Sequence, residues 1–227
     1  EFTYAKAGSG ILKVGTIVTN DADAARIGAV SIGSGATVDG DYSVAIGDRA
    51  KVEGGGGGTA VAIGSRADAY DASVAIGCTA TANTHVYSIA IGNEADANAS
   101  YATAVGKSAH AGTESVAMGI NADASYSYGV AIGKAAKMKA THGVAIGYEA
   151  EAYDSAVAVG LLAKTLGTNA IAIGGRVVAP TSGLVIGAAA DNSILSGQFN
   201  DTAAATNGYL LTSTKFGINR TSKPDAM

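Results

Sequence analysis

The chain has 227 residues, with 32 Gly, 2 Pro, 3 Phe and no Trp, so bulky side chains for a conventional globular core are scarce. Only 15% of residues are charged and the formal net charge is −4, which removes the basic face a nucleic-acid binder needs to displace phosphate counterions. A 48% apolar content at so low a net charge excludes a disordered chain, and glycines without a three-residue period exclude collagen.

Residues 1–25 do not share the pattern that follows. Ile11-Leu12-Lys13-Val14 and Thr16-Ile17-Val18 read as short strands that cap or connect. The chain opens at Glu1 without a secretory signal, which suggests a processed product or an excised piece.

From residue 26 to 192 one four-residue phrase organises the sequence. It begins as Val30-Ser31-Ile32-Gly33 and Val44-Ala45-Ile46-Gly47 and runs to Ile171-Ala172-Ile173-Gly174 and Leu184-Val185-Ile186-Gly187, twelve times in all. The glycines are 14, 17, 13, 15, 14, 13, 14, 14, 13, 14 and 13 residues apart, a mean of 14. The long step holds the run Gly54 to Gly58, read as a flexible bulge between coils. Three residues after each Gly comes Ala (Val177 once), and five after it usually Ala again. Two short alternating segments per repeat, each too short for a helix, read as strand, turn, strand, turn. The expected fold is all-β: a parallel β-roll solenoid of about twelve 14-residue coils, with small non-repeat caps at both ends.

Alternation assigns faces. Placing Val and Ile of the phrase in the coil interior, against Ala at plus three and plus five, turns the central residue outward. That residue is Ala45, Ala62, Ala75, Ala90, Ala104, Ala117, Ala131, Ala145, Ala158 or Ala172 in ten repeats. These ten alanines form a smooth stripe, too long for a monomer to leave wet, and are the expected subunit interface around a symmetry axis. On the other sheet the outward residue, four past the Gly, is polar or charged in eleven of twelve repeats, as at Lys51, Asp68, Asp96, Asp123 and Glu151.

Tyrosine is the candidate for receptor contact. Tyr42, Tyr70, Tyr87, Tyr101, Tyr126, Tyr128, Tyr148 and Tyr153 lie within the repeats, most of them in the turn leading to the next coil and so on one edge of the rod. Exposed aromatic faces suit stacking on sugars or docking a protein; stacking on one another along the edge is the alternative.

No catalytic constellation emerges. His85, His110 and His142 fall in different coils, no Cys/His spacing suits zinc, and the carboxylates of the charged sheet are interrupted by Thr, His or Lys. No Lys-Ser/Thr follows the glycine run as a phosphate loop requires. Cys78 has no partner for an internal disulfide and reads as an exposed turn residue. The expectation is therefore no enzyme, no metal, no cofactor and no nucleic acid. No apolar run approaches the ~18–20 residues of a membrane span, so no membrane insertion is expected.

The phrase Ser73-Val74-Ala75-Ile76-Gly77-Cys78-Thr79-Ala80-Thr81-Ala82 resembles the head repeat of YadA-type trimeric adhesins. That resemblance, over residues 26–192, implies a left-handed β-roll, a homotrimer, and a surface-exposed fibre that attaches to something. Two departures stand out. No neck motif, heptad stalk or anchor follows Gly187. Instead, residues 193–227, expected as a small β cap, contain Asn192-Ser193-Ile194-Leu195-Ser196-Gly197-Gln198-Phe199-Asn200 and the run Phe216 to Ala226. These are similar to segments of bacteriophage tail fibres that precede a self-cleaving chaperone. The combined reading is a non-enzymatic trimeric fibre that attaches to a host cell-surface glycan or protein. It would be extracellular, on a virion tail fibre or alternatively on a bacterial outer-membrane surface. A structural spacer and a glycan depolymerase are the readings from other classes.

Overall fold

The fourteen-residue spacing becomes the circumference of a coil. The computed structural model describes residues 12–14, 28–54, 59–83, 86–188 and 192–198. In each repeat the Val-Ala-Ile phrase forms a three-residue strand, from Val30–Ile32 and Val44–Ile46 to Ile171–Ile173. A second strand of two or three residues follows the Gly, as in Lys51–Glu53 or Glu151–Ala152. Equivalent strands of successive coils pair in parallel and in register: Ala104 lies beside Ala117, Ala131 beside Ala145. The first strands build one continuous sheet along the rod. The second strands build the other, in a four-stranded and a six-stranded part joined through bridges at Asp96. No helix occurs among the described residues.

Eleven coils close completely; the twelfth phrase does not. Its strand lengthens to Gly183–Ala188 and pairs antiparallel with Asn192–Gln198, so the solenoid ends by reversing direction. At the other end Leu12–Val14 lies parallel to Val30–Ile32 as an extra first strand. The expected strand at Thr16-Ile17-Val18, Gly55 to Gly58 and the tail beyond Gln198 lie outside the described residues. The glycine run leaves no trace in the register: Val44 pairs with Val61, and Lys51 with Asp68, on either side of it.

The interior corrects the face assignment of the first sheet. Ala45, Ala62, Ala75, Ala90, Ala104, Ala117, Ala131, Ala145, Ala158 and Ala172 are all completely buried within their own chain. They cannot be the contact surface between copies. The Val and Ile on either side of them face outward instead; Ile89, Ile91 and Ile173 are each 38% exposed. On the second sheet the assignment holds: the alanines at plus three and plus five are buried, and the residue between them is solvent-accessible.

The cause is volume. Two sheets joined by such short turns leave a slot that methyl groups fill. Ala from the first strand meets Ala from the second, and the residue before the phrase is small and buried as well: Ser43, Ser73, Ser88 and Ser115 among others. These serines satisfy their hydroxyls inside the slot. Ser88 Oγ donates to Ser73 Oγ at 3.0 Å, and Ser115 Oγ donates to the Tyr126 carbonyl at 2.6 Å. Val or Ile pointing inward at every coil would overfill this space, at a cost of roughly 1–3 kcal/mol for each overpacked site.

One coil carries the largest of the fully buried side chains and shows how tightly the slot is matched. Met138 takes a position usually held by Ala, with Val38, Val52 and Thr165 in three other coils, and it is completely buried. The facing position is Gly129, where a Cβ would land on the Met138 Sδ and Cε. Gly129→Ala is therefore expected to destabilise the rod by about 1–3 kcal/mol through overpacking. Combining it with Met138→Ala should recover part of that loss. A double-mutant cycle by urea denaturation checks this; strictly additive losses would contradict the pairing.

Candidate interaction surfaces

Flattened coils present two sheet faces and two edges, and the four differ in chemistry. The first face is apolar. Each phrase contributes its first and third residues, from Val30 and Ile32 to Leu184 and Ile186, and among these twenty-four positions only Thr103 is not an aliphatic residue or Met. At ~4.8 Å per coil the twelve strands extend over roughly 53 Å. Three residues of strand add a width of about 10 Å. Even as a flat projection this is about 500 Å2, at the upper end of the largest apolar patch a typical monomer exposes. It contains no charged side chain.

The second face is charged and internally neutralised. Lys137 Nζ lies 3.0 Å from Asp123 Oδ2, and Lys164 Nζ lies 2.8 Å from Glu151 Oε2, each pair spanning adjacent coils. Lys139 Nζ approaches the other Glu151 oxygen at 3.4 Å, His110 Nδ1 sits 3.5 Å from Asp96, and Lys51 pairs with Glu53. Burial pushes the Asp123 carboxyl up, but Lys137 and Ser125 together outweigh it and hold the group below the ordinary carboxylate range. The Lys164 ammonium, against a smaller opposing effect of burial, does the same for Glu151. Asp68 goes the other way: burial dominates the hydrogen bond from Asn83 and the charge of Lys51, and its carboxyl is raised.

A lowered carboxylate stabilises the fold above the ordinary carboxylate range. That contribution is lost as pH falls through the depressed value. For the partners Lys137 and Lys164, both raised, it is lost as pH climbs past the ordinary lysine range. Lys137→Ala and Lys164→Ala are expected to cost up to about 1 kcal/mol each near neutral pH, since the pairs are solvent-screened. The difference from the unsubstituted chain should vanish in acid. Urea melts at neutral and acidic pH read this directly.

The edges are built from residues in the left-handed region. After each of the first eleven phrases the Gly has φ between +128° and +139°, and two residues on a second corner residue, such as Arg49, Glu149 or Leu162, has φ of 51–55°. The opposite edge repeats the device one residue before the buried Ser, Ala or Gly. There the column reads Gly28, Tyr42, Ala72, Tyr87, Tyr101, Glu114, Tyr128, His142, Ser155, Asn169, Ser182. From Tyr101 to Ser182 the positive φ turns the corner amide along the rod axis: Tyr128 N donates to the Thr113 carbonyl at 3.0 Å and His142 N to the Ser127 carbonyl at 3.1 Å. The corners thereby stay in the hydrogen-bond ladder.

Of the candidate receptor residues, Tyr42, Tyr87, Tyr101 and Tyr128 occupy this corner column. Tyr70, Tyr126 and Tyr153 lie at the end of the second strand or just past it, on the same edge, while Tyr148 lies on the opposite edge beneath Lys134, whose ammonium is 5.5 Å from its ring centroid. Tyr87 stacks on Tyr101 with centroids 5.4 Å apart, and Tyr128 on His142 at 5.3 Å. The rings remain open to solvent; Tyr87 is 58% exposed. Sequence reasoning missed the role of the αL corners, although Gly28 and Asn169 in the same column signal it.

Cys78 is exposed in the turn on the glycine edge. His110 faces solvent on the charged sheet and His142 stands on the tyrosine edge; His85 is outside the described residues. Among the described residues no group of three or more His, Cys, Asp or Glu could hold a metal ion. Among the described residues there is no helix long and apolar enough to cross a membrane.

The coil geometry and the phrase match one family. The family model for the YadA head domain repeat (2 copies) fits residues 27–50, 71–95, 86–109, 111–136 and 154–176, about half of the chain. The chain carries YadA head domain repeats. They point to an adhesin-type fibre head displayed at a surface. No curated protein matches the chain significantly. The YadA head matches fall within the rod and leave out both ends, where Leu12–Val14 and Asn192–Gln198 extend the first sheet by other means.

Proposed function

We propose that this chain is a non-enzymatic fibre module that stands as a homotrimer and attaches its bearer to a cell surface. The observation that carries the reading is the uncharged Val/Ile face running the length of the rod. A fibre head needs a rigid shaft and a water-excluding contact between copies, and this sheet offers both. The interface of the proposal is that face, not the buried alanines. Three copies of a weak site held on one rigid shaft gain affinity through effective concentration, without any strong single contact.

The finer reading is a receptor-binding module of a phage tail fibre. The sequence from Asn192 to Ala226, similar to tail-fibre segments ahead of a self-cleaving chaperone, supports it. The YadA head repeats themselves favour a second reading, the head of a bacterial trimeric autotransporter. On either reading the protein is extracellular and its receptor is a surface glycan or protein.

Labelled full-length chain incubated with bacterial and with animal cells tests the proposal. Binding to bacterial cells that blocks phage adsorption supports the tail fibre; binding to animal cells or matrix supports the autotransporter head. Retention by neither leaves a spacer, and shortened envelope polysaccharide after incubation indicates an enzyme. Either result overturns the proposal.

A further inference from the structure

The four corner tyrosines occupy positions that local backbone energetics would give to other residues. Tyr42, Tyr87, Tyr101 and Tyr128 have φ of 53°, 59°, 58° and 62°. A bulky side chain in the left-handed region is uncommon, and Gly or Asn is preferred there. The same column uses Gly28 and Asn169 in other coils, so the fold accepts the favoured residues. Aromatic rings stand here against the local preference, and they stand exposed. The left-handed corner is common to both edges; what sets these four apart is an exposed aromatic ring at a corner that Gly or Asn fits better.

The surroundings define what would bind. The residue before each corner is Ser100, Thr113, Ser127 or Thr141 through the middle of the rod, a row of hydroxyls beside the rings. Tyr101 and Tyr128 are two coils apart, roughly 9.6 Å at the strand spacing, with Glu114 at the corner between them. The corner charge in this column is Glu114, and Asp41, Asp71 and Asp154 each stand one residue before a corner. Apart from Lys139, the cations of the described coils lie elsewhere. Arg49, Arg66 and Arg176 are corner residues of the opposite edge. Lys137 and Lys164 are paired to carboxylates on the second face. Lys139, the one Lys or Arg of the tyrosine edge among the described residues, lies 3.4 Å from Glu151, so an anionic polymer would meet carboxylates there rather than an uncompensated cation. A protein partner would want an apolar core, and this edge is a narrow turn with hydroxyl side chains along it.

The geometry points to the tyrosine edge as a binding track for a neutral, polyhydroxylated glycan, held by ring stacking at the Tyr87–Tyr101 and Tyr128–His142 pairs and by the adjoining hydroxyls. This rests on the attachment reading above and names the class of receptor.

The full chain is tested on an array of neutral and acidic glycans beside a Tyr87→Asn/Tyr101→Asn variant. Asn suits the left-handed corner, so the variant keeps its fold, checked by a melting temperature equal to or above that of the parent. The expected result is retention on neutral glycans, weakened at least about tenfold in the variant. Retention confined to acidic glycans, or unaffected by the substitutions, overturns the inference. If cells bind the chain while no glycan does, the receptor is a protein: the inference falls and the attachment reading survives. Failure to bind cells at all removes both.

Discussion

Gly147→Ala is expected to destroy the rod around its coil, with a loss of about 3 kcal/mol or more. Two costs add. Gly147 has φ of +137°, where an L side chain is strained by roughly 1–3 kcal/mol. A Cβ there would land on the carbonyl oxygen of Gly160 in the next coil, and backbone held in a ladder cannot yield as a flexible side chain does. Overpacking contributes another 1–3 kcal/mol or so. The same clash recurs down the column, from Gly33 onto Gly47 to Gly160 onto Gly174. Asn169→Gly, at a corner with φ of 55°, is the control and should change stability by a few tenths of a kcal/mol at most. Denaturant unfolding of the two variants compares them; similar midpoints would contradict the steric role of the column.

Charges placed on the two parities of the first strand should fail in different ways. Ala131→Glu with Ala145→Glu puts carboxylates into a slot with no room and no partner, and the chain should lose its fold, since an unpaired buried charge costs several kcal/mol. Ile132→Glu with Ile146→Glu places the same charges one residue along, where both side chains are 36% exposed. The coil should keep its strands, because an outward change on a sheet is worth about 1 kcal/mol or less. Assembly, however, should be lost. Circular dichroism separates the first outcome and sedimentation the second. Folded, assembled chains from the alanine pair would invert the face assignment again.

The repeat made the architecture legible. Period, strand positions, parallel stacking and the charged outer sheet all follow from the spacing of Gly and the alternation around it. The parity of the first strand did not. Burying the largest apolar residues is a sound rule for a domain with volume to fill, and it places Val and Ile inside. A fourteen-residue coil has little volume, and there the smallest residues win. The clue lay one residue before the phrase, at Ser43, Ala60, Ser73, Ser88 and Gly129, which share the parity of the central Ala and are all small. Met138 was legible only as a departure from Ala; its compensation by Gly129 needs the fold, because nine residues and a turn separate them. The tyrosine edge was visible as a place, but the left-handed corners that make its rings costly are a backbone property that periodicity does not report.

The exposed Val/Ile sheet is the claim on which the rest depends, and the mass of the particle in solution tests it most directly. Sedimentation equilibrium of the chain at micromolar concentration should give three times 22.1 kDa, about 66 kDa. A folded species of 22.1 kDa, stable and free of association, would mean that this face stays in water and would contradict the account.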